Sequence, residues 1–431
     1  MKRSEQAVCA PGAWEGKRSA PDDTPVYRLP YEILSEIFLT FLSGAPKQKW
    51  IRLASSTIAC VCAVWRAAAL NTPQLWLHIN WLDVCNTPQL IHAQLLRSRG
   101  LPIHLIAIAF NGRDDQQLIK APLTNLGVCL PRCKSLTLRI TYQFLARIPP
   151  LDLPFLRNVH LTIRRRLPRQ SALDFLAHAP QLRRLSIKTS SDGLLKTVRL
   201  AERPTVTTLV LSLTDAHPII FYLRLIGDCA STLEQLFIDT QARCDEVGQV
   251  SHPKTHRYTL LPRLTRADLS SYTHLLLRFI TAPCLNHISL SRTNLSQKGG
   301  DPFASLLPFL GSANVVETLE LRSVWMSPHF LPCVKKLGGV TALMVEENPD
   351  SKPLMSVEMM RRMIAWDDDS APLFPQLDSI CVRYGAAYDM PDMLSGLWFD
   401  FAVSRTEDKV CEGSGVAVKL LHDYDLDFSW G

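Results

Sequence analysis

The sequence predicts an α/β fold, in which an N-terminal helical bundle is followed by an irregular solenoid with parallel strands on one face and helices on the other. Three observations predict it. Apolar residues recur at helical spacing from Ile33 to Leu42, a short apolar phrase recurs from Pro131 onward, and helical stretches separate several copies of the phrase. Hydrophobic residues make up 47% of the 431 residues, enough to bury a large core.

The N-terminal region begins with residues 1–25, which are polar and contain prolines, so we expect a disordered tail. The apolar residues that follow recur at i, i+1, i+4, i+5, i+8 and i+9, and so predict one wide helical stripe from Ile33 to Leu42. Pro30 suits the first turn of that helix, where its missing N–H costs nothing. A second helix is expected from about Trp50 to Leu70.

Two segments of this bundle form a more specific pattern. Leu-Pro-x-Glu-Ile-Leu-x-x-Ile-Phe begins at Leu29, and Val-Cys-x-x-Trp-Arg begins at Val61. Over residues 27–76 the sequence resembles an F-box. Its ending, Asn-Thr-Pro-Gln-Leu-Trp at 71–76, is similar to that of F-box-like domains expanded in mushroom-forming (basidiomycete) fungi.

The resemblance implies docking to the Skp adaptor and, through it, to a cullin–RING ubiquitin ligase. Trp65 is also a candidate for the interior of the bundle. The residues that the resemblance implies for adaptor binding are Leu29, Pro30, Ile33, Leu34, Ile37, Val61, Cys62 and Trp65.

A phrase of the form Pro-x-apolar-x-x-apolar-x-apolar recurs through the rest of the chain. Pro cannot donate a hydrogen bond to a sheet, so it suits the position just before a strand. Seven copies begin at Pro131, Pro154, Pro180, Pro204, Pro262, Pro283 and Pro375, and three copies without Pro begin at Leu233, Val316 and Val340. The L-x-x-L-x-L core resembles a leucine-rich repeat, which implies that three apolar side chains of each strand point inward.

These patterns divide the chain into a disordered tail (1–25), an F-box domain (26–80), a bridging helix and strand (81–130), a leucine-rich-repeat-like solenoid (131–389) and a C-terminal cap (390–431). Helices are expected at 88–99, 171–179, 275–281, 303–311 and 390–405. Strands are expected at 101–110 and, as the last strand, at 416–421.

The outward strand positions are basic early and more acidic late. Residues 131–200 contain 14 Lys/Arg and 3 Asp/Glu, whereas residues 340–431 contain 7 and 17. We predict that the early positions bind an acidic or phosphorylated segment of a target protein, because Arg suits carboxylates and phosphates. The alternative is an ordinary solvated surface. The early positions are Arg139, His160, Arg184, Ser186 and Lys188, and the later ones are Asp268, Ser289, Glu320, Glu346 and Arg383.

The remaining function classes lack their sequence signals. No G-x-S-x-G, Walker-type phosphate loop, G-x-G-x-x-G or H-E-x-x-H is present, so we expect no catalytic residues and no cofactor. The 12 cysteines show no paired C-x-x-C, so no metal site is expected. Nucleic-acid binding is not expected, since the basic block lacks interleaved aromatics. With no secretory signal or membrane span visible, we expect the cytoplasm, the nucleus or both.

Two functions stay open at this point. The first is the substrate-recognition subunit of an SCF-type (Skp–cullin–F-box) ubiquitin ligase, which needs no catalytic residue of its own. The second is an interaction scaffold that binds through its repeats and has no role in ubiquitination.

Overall fold

The computed structural model describes residues 29–43, 48–80, 88–108, 127–141, 148, 151–164, 173–190, 194–214, 217–241, 258–293, 301–311, 316–347, 353–364, 372–384, 392–405, 409–410, 417–418, 421 and 423–427. The predicted tail at 1–25 lies outside these residues. The chain divides into two compact units: Met1–Ile79 with His92–Leu101, and Asn80–Ile91 with Pro102–Gly431.

The first unit is helical. It contains α1 (Tyr31–Ser43), α2 (Gln48–Val61), α3 (Ala63–Asn71) and a 3₁₀-helix (Pro73–Trp76), and it is followed by the short strand β1 (His78–Asn80) and by α4 (Pro88–Arg97). Its core consists of Leu34, Phe38, Leu42, Ile58, Ala68, Ala69, Leu75 and Trp76.

The single helix expected from Trp50 to Leu70 is wrong, because the chain breaks at Cys62. The Cys62 backbone is extended (φ −155°, ψ 174°), and its Sγ accepts a hydrogen bond from the Trp65 backbone N–H at 3.4 Å. Cys62 therefore caps a new helix, α3, and α2 ends at Val61.

The second unit is α/β and is built on twelve parallel strands that neighbour one another in chain order. Four short strands form two further sheets of two strands each, outside the large sheet. The strands are β2 (Ile103–Ile108), β3 (Cys133–Thr141), β4 (Asn158–Arg164), β5 (Arg184–Thr189), β6 (Thr208–Leu213), β7 (Gln235–Thr240), β8 (Thr259–Leu260), β9 (Arg266–Ser270), β10 (Ile280–Thr281), β11 (His287–Thr293), β12 (Thr318–Val324), β13 (Ala342–Glu346), β14 (Ser379–Arg383), β15 (Lys409–Val410), β16 (Ala417–Val418) and β17 (Asp423–Asp427).

Helices connect many of these strands. They are α5 (Leu194–Thr197), α6 (Ile219–Asp228), α7 (Pro302–Phe309), α8 (Phe330–Lys336), α9 (Val357–Met363) and α10 (Asp392–Ser404), with 3₁₀-helices at Leu130–Arg132, Asp174–His178 and Ser271–Arg278. The expected helices at 88–99, 303–311 and 390–405 are present with shorter bounds. The structure has 3₁₀-helices where α-helices were expected near 171–179 and 275–281.

Each of the ten phrases forms a strand of the large sheet. The residue four positions after each phrase proline pairs in register with its equivalent in the next strand, as in Asn158 with Arg184 and Arg184 with Thr208. The three apolar positions of all ten phrases are buried, and none exposes more than 3% of its surface. This includes the two poorest matches, Cys133 and Ala267. The apolar positions of the phrase are therefore the residues that face inward from the sheet.

A positive φ recurs at one register position in the neighbouring strands β11 and β12 and in the residue that follows β9. Ser271, Arg292 and Ser323 follow the register partners Ser270, Ser291 and Arg322, and their φ angles are 54°, 51° and 51°. Positive φ is costly for residues other than Gly. In β11 and β12 the extra residue shifts the next buried position to Thr293 and Val324. Two successive residues of each of these two strands therefore face outward.

The end of the sheet differs from the prediction. The stretch expected as the last strand, 416–421, contains only β16, which pairs antiparallel with β15. The strand that completes the large sheet is β17, which pairs with β14. Its Tyr424 and Leu426 pair with the phrase positions Ile380 and Val382 of β14, and Leu421 stands three residues before Tyr424, so LHDYDL is a further copy of the phrase without Pro that the sequence prediction missed.

Candidate functional site

The outward side of the large sheet, which we call the strand face, presents three rows of residues. These stand four, six and eight positions after each phrase proline or its equivalent. The middle row contains Thr137, His160, Ser186, Val210, Phe237, Asp268, Ser289, Glu320, Met344 and Cys381. Because neighbouring strands are about 4.8 Å apart, each row is a continuous line of side chains.

The four residues predicted to bind a target come together on β3, β4 and β5. Arg139 pairs in register with Thr162, and Thr162 pairs with Lys188, while His160 lies between these positions and Arg184. We call Arg139, His160, Arg184 and Lys188 the basic cluster. Its three cationic side chains are exposed, and among the described residues none has an acidic partner. Within the described part of the chain, the positive charge of the cluster is therefore not offset by an ion pair.

His160 is the half-buried centre of the basic cluster. Its Nδ1 lies 2.8 Å from the hydroxyl of Ser186, and its Nε2 lies 3.4 Å from that of Thr162. Burial, followed by the charges of Arg139, Lys188 and Arg184, lowers the pKa of His160. An anion bound here would reverse part of that effect, since opposite charge favours the protonated imidazole.

Farther along the strand face, charges of both signs are paired. Arg266 donates to both carboxylate oxygens of Asp268 (Nε–Oδ1 and Nη2–Oδ2, each 3.0 Å), and Arg322 Nη2 donates to Glu320 Oε2 at 2.8 Å. Arg292 pairs with Asp239. Two of the late positions, Asp268 and Glu320, are therefore paired with arginines that the sequence prediction missed. The R-x-D and E-x-R spacings, which place opposite charges on one side of a strand, were the available signal.

The paired charges surround a cavity of about 250 Å³. Short side chains lie along its middle, namely Ser270, Ser289 and Ser291, and we call it the serine cavity. Ser289 was predicted to be exposed, but it is only 6% exposed because long side chains from β9 and β12 flank it in register. The other residues that line the serine cavity include Val210, Phe237, Asp239, Asp268, Arg266, Arg292, Glu320 and Arg322.

Glu320 has the most perturbed carboxyl group of the strand face. Its Oε1 lies 3.3 Å from His287 Nε2. The interaction with His287 is the largest cause that lowers the pKa of Glu320 to about 2; burial opposes it, and Arg322 adds to it. Glu320 is therefore ionised when it lines the cavity at neutral pH.

In the first unit, α1 exposes apolar side chains beside its buried ones. Leu29, Ile33, Ile37 and Phe41 recur every four residues and are 37%, 48%, 47% and 57% exposed. We call these four residues the apolar stripe. Among the other residues predicted for adaptor binding, Pro30 and Val61 are exposed too.

Three of the predicted adaptor-binding residues have other positions. Leu34 is one position after Ile33 and faces the core of the unit, so it is only 1% exposed. The prediction that Leu34 lies on the contact surface is therefore wrong. Cys62 is half-buried and caps α3. Trp65 packs on Phe38, with ring centroids 5.0 Å apart, which agrees with its second prediction as an interior residue.

Neither known protein families nor curated proteins provide a relative. No family model matches this chain, and no curated protein matches it either. Within the described ranges, no helix is long and apolar enough to cross a membrane, and no group of three or more His, Cys, Asp or Glu is arranged to hold a metal ion.

Proposed function

We propose that this chain is the substrate-recognition subunit of an SCF-type ubiquitin ligase. In this proposal the first unit is an F-box that docks on the Skp adaptor, and the repeats form a leucine-rich-repeat solenoid that binds a target protein. The F-box motif of the sequence and the apolar stripe support it together. The chain would act by proximity, because a bound target has a raised effective concentration near the transferred ubiquitin.

The observation that carries the proposal is that α1 has two apolar faces. Leu34, Phe38 and Leu42 fill the core, whereas Ile33, Ile37 and Phe41 of the apolar stripe are about half-exposed on the adjacent side of the same helix. A helix on the surface of a small bundle needs only one apolar face. A second contiguous one is typical of a surface that a partner covers.

Loss of the apolar stripe should abolish adaptor binding. We expect Ile33→Ala with Ile37→Ala to reduce capture of the purified Skp adaptor at least roughly tenfold, because two half-exposed aliphatic anchors are truncated. Leu29→Ala with Pro30→Ala should behave alike. The matched control is Leu90→Ala with Leu96→Ala, two aliphatic residues on α4 that are 51% and 66% exposed. Wild-type capture by both stripe variants would refute this docking surface.

Reversal of charge in the basic cluster should weaken binding of an acidic or phosphorylated target. We expect Arg139→Glu with Arg184→Glu to lower the affinity for phosphoserine peptides at least roughly tenfold and to flatten its salt dependence, because two exposed cations are replaced by anions. Adaptor capture should stay unchanged. The control is Arg199→Glu, an arginine that is exposed elsewhere and paired with Asp174. Unchanged affinity and salt dependence would reject the basic cluster as a binding site.

The alternative is a scaffold that binds targets without ubiquitination. Co-purification of the intact chain with Skp and a cullin, followed by profiling of ubiquitin remnants in cells, separates the two. A scaffold would retain its targets, yet the Ile33/Ile37 variant would leave their ubiquitination unchanged.

A further inference from the structure

The serine cavity is built by backbone geometry that the sheet does not otherwise need. The positive φ of Arg292 turns this residue outward, where its guanidinium reaches Asp239 from β11 across the intervening β9. Ser270, between them, donates its hydroxyl to Asp239 at 3.2 Å. Sparsely populated backbone conformations persist where surrounding structure enforces them, and they cluster at binding sites.

The charge of the serine cavity selects against charged ligands. Three arginines and three carboxylates line it, and each arginine is paired with one carboxylate. A ligand with a net charge would have to break one of these pairs and leave its partner uncompensated. An uncharged group that both donates and accepts can bind without breaking any pair.

A flat apolar or sugar ligand is also a poor match. Phe237 is the only aromatic residue of the lining, and the guanidinium of Arg266 already lies over its ring, 5.4 Å from the centroid. That face of the Phe237 ring is therefore already covered and cannot stack on a ligand. What remains is a lining that holds donors, acceptors and three hydroxyls, which suits a carboxamide with its two N–H donors and one carbonyl acceptor.

We propose that the serine cavity is a second subsite for the target chain and that it takes the carboxamide side chain of an Asn or Gln. This inference rests on the proposed function, since it assumes that the strand face binds a polypeptide. The arginine guanidinium groups would donate to the amide carbonyl, and the carboxylates would accept from the amide N–H groups.

The distance between the two subsites gives the spacing of the recognised motif. His160 and Ser289 occupy the same row, five strands apart, through β5, β6, β7 and β9. At about 4.8 Å per strand, the separation is roughly 24 Å. An extended peptide covers about 3.3–3.6 Å per residue, so the carboxamide should lie about seven residues from the acidic or phosphorylated residue.

The test is a peptide library with one fixed central phosphoserine, bound to the full-length chain. Gln is placed at each position from four to ten residues on either side, and each Gln is compared with Glu, Lys and Leu at the same place. We expect Gln, and Asn likewise, to bind roughly fivefold tighter than the other three at six to eight residues from the phosphoserine, on one side only.

Two variants fill the serine cavity. Ser291→Gln places a carboxamide of the chain itself in it, and Ser291→Phe occupies it sterically; both should abolish the Gln preference while phosphoserine binding remains. The control is Ser379→Phe, a partly exposed residue on β14 outside the cavity. Thermal unfolding checks that each variant is folded, and Ser291→Gln keeps the test valid if the Phe variant is not.

The outcomes separate this inference from the proposed function. Phosphoserine binding with no Gln preference, or with a preference that survives Ser291→Gln, overturns the carboxamide subsite and leaves the basic cluster intact. Binding of no peptide at all overturns both strand-face sites, whereas adaptor capture through the apolar stripe is measured independently.

Discussion

Replacement of Arg405 by Met should destabilise the second unit by about 3–5 kcal/mol, because a fully buried guanidinium is lost together with its hydrogen bonds. Arg405 is 0% exposed. Its Nη1 donates to the carbonyls of Phe374 and Pro375 at 3.1 and 3.2 Å, and its Nη2 donates to those of Met363 and Leu373, each at 3.2 Å.

The magnitude follows from what the substitution leaves behind. Met matches much of the volume of Arg but donates no hydrogen bond, so the carbonyls of Met363, Leu373 and Pro375 lose this donor, whereas that of Phe374 still accepts from the Leu377 N–H. An unsatisfied buried polar group costs about 1–3 kcal/mol, and relaxation recovers part of the total. The four carbonyls lie on both sides of residues 365–371, and three of them lie shortly before β14. We therefore expect the destabilisation to be largest in the segment that leads into β14.

Chemical denaturation gives the global effect, and hydrogen exchange gives its location. We expect faster exchange in residues 372–384 than in β4 or β5. Arg405→Lys should be intermediate, since one ammonium group offers three donors from a single point. Arg199→Met, on an arginine whose side chain is 70% exposed, should change stability by less than about 0.5 kcal/mol. Unaltered exchange in residues 372–384 of the Met variant would contradict the structural role of Arg405.

Replacement of Glu320 by Gln should destabilise the chain in a pH-dependent way. The folded state lowers the pKa of Glu320 from 4.5 to about 2, so the ionised group stabilises the fold above pH 4.5, and this contribution is lost as the pH falls toward 2. We expect a loss of about 2 kcal/mol at pH 7 and roughly a quarter of that near pH 2.5, because the folded-state pKa is about 2. The side chain is 12% exposed, so solvent screens the interaction only in part.

Urea unfolding at several pH values measures this difference. His287→Gln removes the largest cause of the lowered pKa, and it should therefore reduce the pH dependence of the free energy of unfolding. A difference between wild type and the Glu320→Gln variant that stays constant from pH 2.5 to pH 7 would show that the ionisation of Glu320 does not contribute. The double variant with His287→Gln should lose less than the sum of the two, because the residues interact directly.

The apolar phrases were sufficient to predict ten of the twelve strands from β2 to β17 in the large sheet, because burial of one face leaves a period in the sequence. The same reasoning brought Arg139, His160, Arg184 and Lys188 to one place. What the pattern could not predict were features without a period. The outward turn at Arg292 uses no Gly, and the break at Cys62 depends on a single capping contact.

The serine cavity was missed for a related reason. Its residues come from β6 to β12, and their charges neutralise one another only after register has placed Arg292 beside Asp239. The outward positions Asp268 and Glu320 predicted a more acidic surface there. Pairing of charges between strands makes the lining of the cavity neutral, and a count of charges along the sequence does not show such pairing.

The last strand of the large sheet, β17, ends that sheet with an acidic segment. Among the described residues, its outer edge is not followed by another strand of that sheet, so its main chain offers the hydrogen-bonding groups on which a second molecule can add a strand. Three of its five residues are aspartates. Like charges placed opposite one another disfavour strand pairing, so an aspartate-rich edge strand is a poor template for a second copy of this chain.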